Sequence, residues 1–285
     1  MAFETEGGNV TKPDATISAI AAPAFVEISK ALAHGVVLNY AGPSTIKFNK
    51  DGSFTAGVVS ESAAYSYDSG DEFSQTAVSC TAQTYAHIFK PTVQSERFSD
   101  GQADLGKLGR LQGEAIGRAF DSTWIGLFPS ITNLVTETAG ATKDGLLDAQ
   151  YTVHNATMRD VRLHVVISRK ARNELRKEIT SITASAFGTE KMLNLVGGPI
   201  QPNGLVGEFS DMLVFNTSGF TTTGGDNQQA VFDPTLAFGM GVDQTIYTRS
   251  VFKASEGLFT EVASWMFANA VLWNDAAACE YRSDS

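Results

Sequence analysis

Cysteine is scarce in this chain of 285 residues, which has only Cys80 and Cys279. The two lie far apart with no CxxC spacing, so a disulfide framework or a thiolate zinc site is improbable. Long apolar runs are absent as well, since no stretch reaches the roughly 18 apolar residues that a membrane-spanning helix needs. The N-terminus also lacks the basic and apolar segments of an export signal. We therefore expect a protein of a reducing compartment with no membrane partner.

Recognised motifs of catalysis and cofactor binding are also absent. None of the four histidines stands in HExxH or HxH spacing, and no GxSxG elbow of a serine hydrolase occurs. Residues 101–108 match GxxxxGK, but Leu108 occupies the position at which Ser or Thr would bind magnesium. Gly239-Met240-Gly241 lacks the third glycine of a dinucleotide-binding turn. The sequence therefore predicts no catalytic residue, no cofactor and no metal site, and a protein that is not an enzyme.

Basic residues are fewer than acidic residues, with 21 Lys and Arg against 31 Asp and Glu. The net charge of -10 argues against a protein whose whole surface binds nucleic acid. Residues 151–200 are the exception, with eight Lys and Arg and four acids. Three interpretations stay open for this basic segment: a solvated helix face, a site for an anionic ligand, or a patch that faces an acidic patch of a neighbouring subunit in a ring.

Alternating polarity predicts a long β-hairpin in the first third of the chain. Ile46 and Phe48 alternate with polar residues before the turn-forming residues 49–52. A second alternating run extends over residues 76–90 and, as one strand, would approach roughly 45 Å. An arm of that length is not covered by its own small domain. We therefore expect residues 40–88 to contribute little to the core of their own subunit and much to a contact with another.

Helical spacing of apolar residues begins after Gly101 and continues until Pro129, which predicts the longest helix of the chain. Gly109, Gly113 and Gly117 recur along it at every fourth position. Each interior glycine costs about 1 kcal/mol relative to alanine. We infer that a strand or another helix approaches this glycine ridge closely.

The rest of the chain is patterned more weakly. Residues 1–35 suggest an extended arm with one short helix, and residues 151–167 favour a strand. Ser168 is a suitable N-cap for a helix that continues to about Phe187. The later strands predicted are 244–253 and 277–281.

The order of these segments resembles the major capsid proteins of tailed bacteriophages of the Hong Kong 97 type. The resemblance covers most of the chain and rests on collinear patterns rather than on one sharp motif. These are STIKF at 44–48 and AGVVSE at 56–61 for the extended loop, GRAFD at 117–121 for the spine helix, VVISRKARNEL at 165–175 for the strand and helix that open the axial domain, NLVGGPI at 194–200 for the turn after it, and residues 249–271 for the peripheral strand.

The resemblance implies an α+β fold of the Hong Kong 97 type. Its parts are an N-terminal arm, an extended β-hairpin loop, a peripheral domain with a long spine helix, and an axial domain. The implied boundaries are 1–39 for the arm, 40–90 for the extended loop, 91–150 and 244–268 for the peripheral domain with its spine helix at about 103–128, and 151–243 and 269–285 for the axial domain.

The function implied by the resemblance is that of a major capsid protein. Such a protein self-assembles into pentamers and hexamers of an icosahedral shell around the double-stranded DNA genome of a tailed phage, and is found in the virion and, during assembly, in the host cytoplasm. The implied partners are further copies of the chain, a portal, DNA packaged without sequence-specific binding and, as a further candidate, a decoration protein. A separate scaffolding protein is also expected, because too few residues precede Ser44 for the charged extension that replaces it in some members.

The residues expected in contacts between subunits lie on the extended loop and on the basic segment. They are Lys47, Phe48, Lys50, Phe54, Glu61, Arg169, Arg172 and Arg176. Some members join a loop lysine covalently to an asparagine of the peripheral domain, but no Asn occurs from Asp243 to Ala268, so we expect no such bond. Two alternatives stay open: an encapsulin-like nanocompartment shell that encloses cargo enzymes, and a soluble β-rich enzyme or binding module.

Overall fold

The computed structural model describes residues 13–40, 44–51, 75–90, 101–138, 140–181, 205–217, 222–223, 226–243, 245–253 and 259–284. Helices and strands alternate along this part of the chain in a mixed α+β arrangement. In chain order the elements are α1 (Pro13–Ile28), β1 (Val36–Asn39), β2 (Thr45–Asp51), β3 (Gln75–Thr81), β4 (Gln83–Phe89), α2 (Gly101–Ile125), β5 (Leu134–Glu137), α3 (Lys143–Thr157), β6 (Leu163–Ser168), α4 (Arg169–Ser181), β7 (Leu205–Phe209), β8 (Met212–Thr217), β9 (Thr222–Thr223), β10 (Asp226–Phe232), β11 (Phe238–Val242), β12 (Tyr247–Lys253), β13 (Phe259–Leu272) and β14 (Ala278–Asp284), with short 3-10 turns at Ala31–Ala33, Phe128–Ser130 and Asp275–Ala277.

The first sheet is built around β13, a strand of 14 residues. Its residues 259–265 pair with β12 and its residues 268–272 pair with β11, both antiparallel. β4 pairs antiparallel with residues 262–268. Because two strands cannot share one edge at the same residues, β4 lies on the edge opposite β11 and β12. β1 extends the sheet as a parallel neighbour of β11.

The second sheet has the strand order β5-β14-β10-β6-β8-β7, with β9 beside β10. Its central pair, β10 and β6, runs antiparallel, and β8 pairs parallel with β6. Along β6, Leu163, Val165, Val166 and Ile167 are all buried. Such a continuous apolar run, rather than an alternating one, is typical of a strand that is covered on both faces.

The glycine ridge of α2 packs against α1. A Cβ added at Gly113 would lie 2.2 Å from the carbonyl oxygen of Ala21, and one added at Gly109 would lie 2.9 Å from that of Ile17. The close approach predicted from the glycine spacing is therefore confirmed at these two positions. The approaching element is a 16-residue helix, longer than the one short helix predicted for the N-terminal segment.

The strand predicted over residues 151–167 was wrong for its first half, which is helical. α3 begins at the N-cap Thr142, whose side chain accepts a hydrogen bond from the Gly145 N–H. Leu146, Ala149 and Val153 then bury one side of the helix. Burial at three- and four-residue spacing outweighs the β preference of Tyr151-Thr152-Val153. Only the second half forms a strand, β6.

The sheet memberships differ from the predicted domain boundaries. β5 pairs with β14, although a boundary at residue 150 assigns β5 to the peripheral domain. The same boundary divides α3, which as a whole packs on the second sheet. β11 belongs to the first sheet, although a boundary at residue 243 assigns it to the axial domain. The cause is long-range pairing: the C-terminal strand β14 draws β5 to the edge of the second sheet.

An aromatic core lies where α2 meets both sheets. Trp124 at the end of α2, Phe238 of β11 and Phe232 of β10 are fully buried, as is Phe128 in the turn after α2. The Trp124 and Phe128 rings are 5.1 Å apart between centroids, and those of Phe232 and Phe238 are 4.9 Å apart, both edge to face. Aromatic pairs of this geometry contribute beyond the area they bury. The two sheets therefore share one core.

Candidate assembly surfaces

The long alternating run of residues 76–90 forms two strands rather than one. β3 pairs antiparallel with β2 in a two-stranded ribbon, from Thr45↔Thr81 to Asp51↔Gln75. After Ala82 the chain continues as β4 and joins β13 of the first sheet. The hairpin predicted for the extended loop is therefore present at its base, while residues 52–74 lie outside the described residues.

The base of this hairpin is part of the subunit's own core. Phe48 is 3% exposed and packs on Trp273, with 5.6 Å between ring centroids. Cys80, its neighbour on the paired strand, is fully buried. The expectation that residues 40–88 contribute little to their own core is wrong for this base, and the Phe48 side chain is already covered within the chain.

The two glycines of the Gly-x-Gly sequence in β11 leave space for aromatic rings to pack on this strand. A Cβ added at Gly239 would lie 2.7 Å from the Phe48 ring, and one added at Gly241 would lie 2.3 Å from the Tyr40 ring. Alternate residues of a strand share one face, so the two glycines form a flat surface for these two rings. The Tyr40 hydroxyl donates to the carbonyl oxygen of Cys80, 3.2 Å away. This motif, which fails as a nucleotide-binding turn, thus anchors the hairpin.

The predicted contact residues fall into three groups. Lys47 and Lys50 are exposed on β2, and Arg169 and Arg176 are exposed on α4, with Arg172 half-buried beside them. Phe54 and Glu61 lie outside the described residues. The structure brings the three arginines together on one helix and keeps the two lysines on the hairpin.

Acidic and basic side chains of α4 face in different directions. Ser168 caps the helix, as predicted, by accepting a hydrogen bond from the Ala171 N–H. Glu174 accepts from the Ala141 N–H and Glu178 from the Lys143 N–H, each at 2.8 Å, at the start of α3. Carboxylates at a helix N-terminus are favourable because they satisfy its free N–H groups. Glu174 and Glu178 therefore stabilise the start of α3, whereas the arginines lie on another side of α4.

Buried His34 and half-buried His164 join the N-terminal segment to the second sheet. The apolar run around His164 predicts a hydrogen-bonded structural histidine, whereas no sequence pattern indicates His34 as its partner. His34 Nδ1 and His164 Nδ1 are 3.1 Å apart, and the His34 ring stacks on Trp124 at 5.1 Å between centroids. Burial lowers the pKa of His34 to about 3, helped by the nearby His164 and Lys30. Burial also lowers the pKa of His164 to about 4, against the opposite influence of Asp233. Both rings are thus neutral in the folded chain, where one Nδ1–H donates to the other Nδ1.

We expect this histidine pair to make the fold sensitive to mild acid. In the unfolded chain a histidine takes up a proton below its ordinary pKa of about 6.5, whereas the folded rings do so only near pH 4 and below. Stability is therefore complete above pH 6.5 and falls as the pH drops towards 4. His34 alone should lose about 1 kcal/mol between pH 7 and pH 5.5, with His164 adding in the same direction. Urea unfolding at the two pH values measures the loss.

The control for this acid effect is the double variant His34→Phe, His164→Phe. It keeps aromatic rings in the joint but removes both titrating groups. Its free energy of unfolding should change less between pH 7 and pH 5.5 than that of the parent. Equal changes in the two proteins would show that other groups cause the acid sensitivity.

Metal-binding clusters and membrane-spanning helices do not occur in the described ranges. No three or more His, Cys, Asp or Glu side chains there are grouped to hold a metal ion. No helix within those ranges has the length and apolar character needed to cross a membrane.

Comparison with known proteins gives structural matches only. No protein-family model and no curated protein sequence matches the chain. The capsid of a native GTA particle matches with a TM-score of 0.68 over 100% of this chain and 95% of that chain, at 13% identity. The capsid of Ralstonia phage GP4 matches with a TM-score of 0.66 over 87% and 85%, at 11% identity. A virus-like particle from Pyrococcus furiosus matches with a TM-score of 0.60 over 95% and 99%, at 10% identity.

These matches extend over nearly the whole length of the chain and of the proteins it resembles. At these identities the similarity is one of fold. The chain therefore has the fold of tailed-bacteriophage major capsid proteins, the Hong Kong 97 type fold.

Proposed function

We propose that the chain is a major capsid protein that self-assembles into pentamers and hexamers of an icosahedral shell around the double-stranded DNA of a tailed phage. The observation that supports the proposal is the fold match to capsids, over 100% of the chain for the GTA particle and over 87% for Ralstonia phage GP4. A structural role also agrees with a sequence that offers no catalytic motif. The virion and, during assembly, the host cytoplasm are the corresponding locations.

The described surfaces support contacts between copies of the chain. Lys47 and Lys50 are exposed on a hairpin whose base is fixed by Phe48, so its direction is set by the subunit's own core. In this proposal residues 52–74, which include Phe54 and Glu61, contact a neighbouring subunit. In this proposal Arg169, Arg172 and Arg176 form a second contact. A scaffolding protein, a portal, packaged DNA and a decoration protein are the further partners.

An encapsulin-like shell is the alternative, and one observation favours it. The virus-like particle from Pyrococcus furiosus matches over 95% of this chain. A shell of that class would enclose protein cargo instead of a genome. Nucleic-acid and protein analysis of particles from the native source separates the two, because genome-length DNA inside them supports the phage capsid and a protein cargo without DNA supports the alternative.

Sedimentation of the purified chain tests the assembly proposal. Produced alone, the protein should sediment as closed particles or as capsomers of five or six subunits, even where closure needs the scaffolding protein. Dilution into high salt should dissociate the capsomers into the 30.4 kDa chain. A chain that stays monomeric over a wide range of protein concentrations would contradict the proposal and favour a soluble binding module or enzyme.

A further inference from the structure

One side of α3 presents large apolar side chains that nothing in the described part of the chain covers. Leu147 and Tyr151 lie four residues apart and so share one side of the helix, and Met158 is the C-cap residue just past the helix end. They are 37%, 70% and 93% exposed. Apolar side chains grouped on a surface in this way mark interaction sites. With the carboxylates described next, Asp148, Asp160 and Asp211, these residues are called the α3 face.

The carboxylates make this face suitable for arginine. Asp160 and Asp211 line a groove of about 800 Å³ beside Tyr151, and Asp148 is exposed on the same helix. Arg162, which also lines the groove, is paired with Glu208 at 2.5 Å, so its charge is largely offset. An arginine side chain can donate to carboxylates while its planar guanidinium stacks on an aromatic ring such as Tyr151.

Three arginines lie on α4, on the side that faces away from α3. Arg169, Arg172 and Arg176, called the α4 stripe, lie three and four residues apart and so share one side of the helix. At 100° per residue they lie opposite Glu174 and Glu178, which hold the first N–H groups of α3. The groove lies at the other end of α3, which at 15 residues is about 22 Å long. The α4 stripe therefore cannot reach the α3 face of its own chain.

We propose that the α4 stripe of one copy binds the α3 face of the next copy. The two surfaces differ from each other and lie at opposite ends of the α3–α4 pair. A copy that is bound through one surface can therefore bind a further copy through the other. Head-to-tail contacts of this kind form a ring when the rotation between neighbours closes, whereas a two-fold dimer uses the same patch on both copies. The inference rests on the proposed function, to which it adds the pair of surfaces that joins neighbouring subunits within a capsomer.

Two charge-reversal variants test this pairing. Arg169→Glu with Arg172→Glu makes both surfaces acidic, and Asp148→Lys with Asp160→Lys makes both basic. Each variant alone should remain folded by circular dichroism but give at least tenfold less assembled protein than the parent. The chain that carries all four changes should assemble again, because its two surfaces are complementary with their signs exchanged. This fourfold variant is the matched control for folding and for general effects of charge.

An equimolar mixture of the two variants gives the sharpest result. In this mixture the acidic surfaces of one variant can bind only the basic surfaces of the other. All contacts in a ring are therefore complementary only if the two variants alternate around it. Rings of six can alternate and rings of five cannot, so native mass spectrometry should find mixed hexamers without pentamers, and closed shells should not form. Parent-like assembly of either double variant, or failure of both the mixture and the fourfold variant, would overturn the pairing while assembly of the parent upheld the proposed function. If the Arg169→Glu, Arg172→Glu variant formed normal shells that retained less DNA, the pairing would also be overturned. The α4 stripe would then bind nucleic acid rather than the neighbouring subunit.

Discussion

Replacing residues 52–74 by Asn-Gly should give a folded subunit that no longer forms shells. The replacement links Asp51 to Gln75 through only two residues. Asp51 and Gln75 already face each other across β2 and β3, and Asn-Gly is a favoured two-residue hairpin turn. Phe48 and Cys80 stay in the core, so the free energy of unfolding should change by less than about 1 kcal/mol. Assembly should fall below detection in sedimentation, because the part of the loop proposed to reach the neighbouring subunit is missing.

The position of this deletion matters, since a shorter one from Asn49 to Thr55 would remove part of the paired base. The control for the base is Phe48→Ala, which keeps the loop and should destabilise the subunit by about 3 to 5 kcal/mol. A loop-replaced protein that still forms normal shells would contradict the role proposed for the extended loop. A loop-replaced protein that fails to fold would contradict the conclusion that the base alone completes the core.

Replacing Gly113 by alanine should destabilise the subunit by about 3 kcal/mol or more. Intrinsic preference acts in the other direction, since alanine favours a helix by about 1 kcal/mol over glycine. The added Cβ would, however, lie 2.2 Å from the carbonyl oxygen of Ala21 and 2.9 Å from the Cβ of Ala24. The first of these atoms belongs to backbone, so α1 and α2 must separate. Urea unfolding measures the loss.

The matched control for Gly113 is Ala119→Gly, at an exposed position of the same helix. It should cost about 1 kcal/mol, which is the intrinsic preference alone. The two reciprocal substitutions should therefore both destabilise the subunit. A Gly113→Ala protein as stable as the parent, or more stable, would show that α1 does not pack on the glycine ridge.

Local signals predicted some parts of this fold well. Glycines at every fourth position of a helix carry a cost that packing must offset, so Gly109 and Gly113 indicate a close partner from the sequence alone. Ser168 indicates a helix start because its hydroxyl can satisfy a free N–H group. In each case the signal lies within a few residues of the feature it predicts.

Features that depend on distant residues could not be predicted in this way. Phe48 is buried because Gly239 of β11 offers it a flat surface, and nothing near Phe48 indicates this. His34 and His164 are 130 positions apart in the sequence and meet only in the tertiary structure. α3 was missed because β-prone residues in its middle conceal a helix that is decided by the Thr142 cap and by burial against the second sheet.

Electron cryomicroscopy of the assembled protein decides whether copies of this chain form the closed shell of pentamers and hexamers that we propose. We expect hollow icosahedral particles with a subunit of this fold at each position, residues 52–74 resting on an adjacent subunit, and the α4 stripe facing the α3 face of the next subunit in the ring. Protein that forms no closed particle, with or without its scaffolding partner, would show that the chain does not build a capsid.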